Sequence, residues 1–236
     1  MKRGFSLIEC LIALSVSLFI VCAALEFFGA AGGQFFRLKS REEAAQDAMA
    51  AMDKMRIDIV RSGQGLASAI AAGAIKAVVV SGAGLTTTRA ERTWVLSSNA
   101  AAGATVIHLM GGVSDIKPGR KICLSGGGKA EVMVVAAAAS GTVTVSPPLG
   151  FAYTAADASL GLLEEVILSW DPGTKTLKRK VNASSAQPLL ENAAFAAFEN
   201  DAQAGLVRVR LSFDAQGENP YAICLFPKNP ALAGST

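Results

Sequence analysis

Met1-Lys2-Arg3-Gly4-Phe5-Ser6-Leu7-Ile8-Glu9 opens an apolar run that starts at Phe5 and continues through Cys10 to Leu25. Two cations and a glycine precede the run, and one carboxylate, Glu9, lies inside it. Phe5 to Phe28 is 24 residues, long enough as a helix to cross about 30 Å of hydrocarbon. A lone acid at mid-bilayer costs roughly 2.5–3.5 kcal/mol on insertion scales, so its retention marks Glu9 as a functional position. Lys2 and Arg3 favour a cytoplasmic N-terminus and a translocated C-terminal part. An ordinary secretory signal, cleaved near Gly29-Ala30-Ala31, competes with this reading. Glu9 in the apolar run argues against it. A plain signal anchor is the other bland alternative.

Gly4-Phe5-Ser6-Leu7-Ile8-Glu9, after a short basic leader and before an apolar run, resembles the class III signal of type IV pilins and of the pseudopilins of type II secretion. The resemblance implies cleavage by prepilin peptidase between Gly4 and Phe5, N-methylation of Phe5, and a role for Glu9 in subunit assembly. It also implies a pilin-like α+β fold, in which a long N-terminal helix packs on an antiparallel sheet. The stretch from Leu162-Leu163-Glu164-Glu165 to Val207-Arg208-Val209-Arg210-Leu211-Ser212-Phe213 is similar, more loosely, to PilW-like minor pilins and J-type pseudopilins.

The composition fits an anchored structural protein. Half of the 236 residues are hydrophobic, enough for a sizeable core. Formal charge is +3, falling to +1 without Lys2 and Arg3, so no nucleic-acid footprint remains. Cys10 and Cys22 are about 18 Å apart along a helix and cannot bridge. Cys123 and Cys224 both fall in strand-like runs and form a candidate disulfide pair in an oxidising compartment.

The expected organisation is a leader at 1–4, a transmembrane half-helix at 5–28, an amphipathic half at 29–65 and a β-rich head at 66–236. Gly29-Ala30-Ala31-Gly32-Gly33 is a weak point for a helix. Beyond it, Phe35, Leu38, Ala45, Met49, Met52, Met55 and Ile59 form a core-facing stripe, with Lys39/Glu43 and Lys54/Asp58 as exposed pairs. Gly63 and Gly65 end the helix. Short β-like runs occupy 75–80, 93–96, 105–110, 121–124, 131–135 and 143–145. Those between 100 and 153 read as an inserted β-meander. Leu163–Trp170 and Thr176–Val181 read as a hairpin turning at Asp171-Pro172-Gly173, and 188–199 as helix or strand. Leu206–Phe213 alternates apolar and basic, as a half-exposed strand does, and Tyr221–Phe226 reads as one more strand.

No constellation for catalysis stands out, so no enzyme, cofactor or metal is expected. Gly126-Gly127-Gly128-Lys129 lacks the spacing and the Ser/Thr of a phosphate loop. His108 is the chain's one histidine and lies between apolar neighbours on a strand. Lys175, Lys178, Arg179, Lys180, Arg208 and Arg210 read as a solvated sheet face rather than a nucleic-acid surface. The functional expectation is a minor pilin near the tip of a type IV pilus-type filament. A J-type pseudopilin of type II secretion is the nearest alternative, and a membrane-anchored or secreted ligand-binding module is the alternative of another class. Expected partners are prepilin peptidase, other pilin or pseudopilin subunits, an inner-membrane assembly platform and membrane lipid. The expected location is a single inner-membrane pass with a periplasmic head, and then the filament.

Overall fold

The computed structural model describes residues 6–82, 84–201, 205–212 and 221–227. Gly4 and Phe5 lie outside the described residues. The chain divides into two compact units, Met1–Asp47 and Ala48–Thr236. In the first, helix α1 (Leu7–Val60) accounts for nearly every described residue. Its apolar side chains are open on all sides, with Leu7 83% and Phe19 81% exposed. The stretch is long and apolar enough to cross a membrane. The helix continues without a break through Gly29–Gly33. Ser15 and Ser17 turn their hydroxyls back onto the Leu11 and Ala13 carbonyls, both at 2.8 Å. Their polar atoms are thereby satisfied within the helix, as an apolar surrounding requires.

The second unit is α+β. The end of α1 buries Ala48, Ala51, Met52, Met55 and Ile59, part of the stripe read from sequence; Met49 is exposed. Asp58 is buried too, at 4% exposure, and does not form an exposed pair with Lys54. Arg179 instead donates to it from Nε and Nη2 at 2.7 and 3.0 Å. The partner is 121 residues away on a strand, beyond what a helical wheel encodes. After α1 the chain turns on Gly63 and Gly65, both at φ 72°. A Cβ at Gly65 would come within 2.9 Å of Ala90, so both space and backbone angle call for glycine.

A short helix, α2 (Ala67–Ala71), leads into strands β1 (Val78–Ser81), β2 (Gly84–Val95), β3 (Val106–His108), β4 (Lys121–Gly126), β5 (Lys129–Ala139), β6 (Thr142–Ser146), β7 (Ser159–Asp171), β8 (Thr176–Val181) and β9 (Gln187–Leu190). These make one nine-stranded antiparallel sheet in the order β1-β2-β7-β4-β5-β6-β3, with β8 on β7 and β9 on β8. Strands β10 (Phe195–Asp201), β11 (Leu206–Ser212) and β12 (Tyr221–Leu225) form a second antiparallel sheet. The segment 188–199, open between helix and strand from sequence, is split between β9 and β10.

The 100–153 region is more than a meander. Leu96 bridges Leu109; Met110 N–H donates to the Val95 carbonyl and Ser97 N–H to the His108 carbonyl, both at 2.9 Å. These bonds join the end of β2 to β3, so β2, β7, β4, β5, β6 and β3 close into a small antiparallel barrel. Closure removes the exposed edges that an open meander would present. Trp94, Leu96, Ile107, Leu109, Met133 and Leu160 are among the side chains that fill it. A second core joins α1 to both sheets through Met55, Ile59, Leu85, Leu168, Leu177, Phe198 and Val209. A smaller cluster sets Leu66, Ala69 and Ile70 of the α2 region on Cys123 and Leu163.

Asp58→Ala strands a largely buried guanidinium and should destabilise the unit by about 3 kcal/mol, measurable by chemical denaturation. At the β7–β8 turn, Lys178 Nζ lies 2.8 Å from Asp171 Oδ2, while Gly173 and Thr174 N–H donate to Oδ1. The hydrogen bond from Lys178 leads the causes that lower the exposed Asp171 carboxyl from 3.8 to about 2. A depressed carboxylate stabilises the fold above its ordinary value and loses that contribution as pH falls toward 2. NMR titration should place the Asp171 midpoint near 2 and return it toward 3.8 in Lys178→Met.

Candidate functional site

Ser6-Leu7-Ile8-Glu9 folds as a reciprocal cap on the first turn of α1. Ser6 precedes the helix, and its Oγ accepts from Ile8 N–H at 3.3 Å. Glu9 reaches back, and Oε2 accepts from Ser6 N–H at 3.0 Å. Cys10 N–H then donates to the Ser6 carbonyl at 3.2 Å. Ser-x-x-Glu at a helix start is a capping box, which satisfies donors that the helix itself leaves open. The carboxylate also sits at the positive end of the helix dipole. The Ser-x-x-Glu spacing is itself a signal in the sequence, alongside the class III resemblance that the same residues carry. In an apolar surrounding, an uncapped first turn would leave backbone N–H groups without partners.

The other residues singled out from sequence are scattered. Cys123 and Cys224 are not bridged; both are free thiols, Cys123 buried on β4 and Cys224 exposed on β12. The strand patterns that suggested a pair place them in two different sheets. Burial pushes the Cys123 thiol up to about 12, with Glu131 adding to the effect. His108 is exposed between buried Ile107 and Leu109. Gly126–Lys129 is the β4–β5 hairpin, and Gly127 and Gly128 take φ of 58° and 74° at its two central positions. Both positive angles suit the twist of paired strands and favour glycine. The basic residues of the last third are largely matched: Lys178 with Asp171, Arg179 with Asp58, and Arg208 and Arg210 with Glu199.

A polar feature that the sequence did not suggest lies on β7. The β4 ladder ends at Ile122↔Leu162 and the β8 ladder begins at Val166↔Val181. Between them the two strands diverge from β7 and leave a cleft of about 250 Å³. Its walls include Arg120, Lys121, Glu165, Lys180 and Asn182. Side chains take over where the ladders stop. Arg120 Nη2 donates to the Leu163 carbonyl at 3.0 Å and to Glu91 Oε2 at 2.6 Å. Asn182 Oδ1 accepts from Glu165 N–H at 2.9 Å, and Asn182 N–H donates to the Glu165 carbonyl at 2.8 Å. Lys121 Nζ engages both Glu165 oxygens, at 2.8 and 2.9 Å. These residues come from separate segments between 119 and 183, so only the sheet fork brings them together.

No family model matches this chain, and no curated protein does. Among solved structures, the phage phi92 endosialidase aligns at 13% identity over 59% of this chain, with a TM-score of 0.23. This chain spans 32% of that protein's length. A likeness of that size carries no argument about fold or activity.

The capping box yields a direct prediction. Ser6→Ala should cost about 1 kcal/mol at the helix start. Amide hydrogen exchange of residues 7–10 in detergent micelles should accelerate in the variant, with no change beyond the first turns.

Proposed function

We propose that this chain is a non-enzymatic filament subunit of the type IV pilin class, a minor pilin whose head stands near a filament tip. The observation that carries the reading is Gly4-Phe5-Ser6-Leu7-Ile8-Glu9 placed directly before an exposed, membrane-length helix. In this reading prepilin peptidase cuts between Gly4 and Phe5, and the freed Phe5 amine is methylated. The apolar half of α1 holds the subunit in the inner membrane until a neighbouring subunit's helix replaces the lipid.

Glu9 serves twice in this account. Within one chain its carboxylate closes the capping box on Ser6. One oxygen suffices for that bond, which leaves the other free to accept from the Phe5 amine of an incoming subunit. The helix start is therefore stiff before assembly, and the acid is held at a fixed depth and orientation. The size of the head supports a terminal position. An inserted barrel on a sheet already joined to α1 makes a bulky subunit, better suited to a filament end than to close helical packing along a shaft.

Glu9→Val tests the reading. It should leave cleavage after Gly4 intact and reduce recovery of the subunit in sheared filaments by at least tenfold, the equivalent of losing about 1.4 kcal/mol of subunit attachment. Recovery at the native level would overturn the assembly role.

A further inference from the structure

We propose that the cleft at the β7 fork binds the carboxylate of a small acid, of the size of one sugar acid or one acidic amino acid. Donors and acceptors in the cleft do not balance. The acceptors are committed: both Glu165 oxygens hold Lys121 Nζ, and Asn182 Oδ1 holds the Glu165 amide. The donors are in excess. Lys180 has no ion-pair partner among the described residues, and Asn182 Nδ2 has no hydrogen bond there either. Charge runs the same way: Arg120 is paired with Glu91 and Lys121 with Glu165, which leaves the Lys180 charge in excess.

An occupant that satisfies this cleft brings acceptors and negative charge. A planar carboxylate does both, taking the Lys180 ammonium on one oxygen and the Asn182 amide on the other. The geometry is prepared in advance. Asn182 sits at φ 51°, and its side chain is fixed through Oδ1, so the amide nitrogen has one orientation. Lys180 stands directly opposite Ile167 in the β7–β8 register. A site of about 250 Å³ lies just below the range of drug-sized ligand pockets, which starts at about 300 Å³, and limits the occupant to a small molecule. A neutral ligand would leave the Lys180 charge unanswered, and a second cation would be repelled.

The inference is independent of filament assembly and is tested on the full chain in a sugar-free, non-ionic detergent. Galacturonate and N-acetylglutamate are titrated separately, with galactose as the neutral control, and amide shifts of Gly119, Lys121, Asn182 and Ala183 are followed by NMR. At least one carboxylate should give saturable shifts confined to these residues, and galactose none. Tighter binding of galacturonate assigns a sugar acid, and tighter binding of N-acetylglutamate an acidic peptide side chain. Lys180→Met should weaken binding about tenfold, in line with the loss of one charge-assisted hydrogen bond; Lys180→Arg should retain it. Failure of both acids to saturate, equal response to galactose, or native affinity in Lys180→Met would each overturn the assignment.

Discussion

The ladder between β2 and β7 is the constraint on which the head depends. It runs from Gly84↔Ser169 to Val95↔Ser159 with one irregularity, between Ala90 and Arg92. Along β7 the even-numbered residues stay on one face. Leu160 and Leu162 fill the barrel, while Val166 and Leu168 face away from solvent further along, Leu168 in the α1 core. On β2 the phase changes: Leu85 belongs to the α1 core and Trp94 to the barrel, an odd and an even position. The extra residue at Glu91 makes that change. Side chains alternate with a period of two, so without the bulge Trp94 would point out of the barrel. Arg89 and Glu164, directly opposed in register and bonded at 2.6 Å, lie between the two cores on this shared face. The barrel is thus an extension of the helix-bearing sheet and shares its two longest strands.

The same arrangement explains the cleft. β7 is 13 residues long, and its edge opposite β2 is shared between β4 at one end and β8 at the other. Two strands with different destinations cannot both follow β7 through its middle. The gap is closed by side chains, chiefly Arg120 and Asn182, and those side chains make the site polar.

Much of the secondary structure was legible because local chemistry agreed with the fold. The 163–181 hairpin carries alternation, an Asp-Pro-Gly turn and a return strand, and β11 carries strict apolar–basic alternation. β2 was legible only at its barrel end. Thr86-Thr87-Thr88-Arg89-Ala90-Glu91-Arg92 lacks apolar alternation, and its strand character comes from pairing with β7. Barrel closure depends on three residues meeting three others across 95–97 and 108–110, a long-range register that no local pattern encodes. Asp58 was misplaced for a related reason, since its partner is on another element. At the functional end the reverse holds. The start of the chain is entirely local: the leader resemblance is read from Gly4 to Glu9 and the capping chemistry from Ser6 to Glu9.

Together these features separate three tasks along the chain. The first unit offers an apolar helix with a capped start and little else. Within the second unit, the end of α1 packs on the sheets through an apolar stripe and the Asp58–Arg179 pair. The second unit also carries the barrel and the donor-rich cleft. The central claim concerns the first of these tasks, and N-terminal sequencing with intact-mass analysis of the membrane-extracted protein tests it most directly. The account predicts a mature chain that starts at N-methylated Phe5. A chain that retains Met1, or one that starts near Gly32 after ordinary signal cleavage, would contradict it.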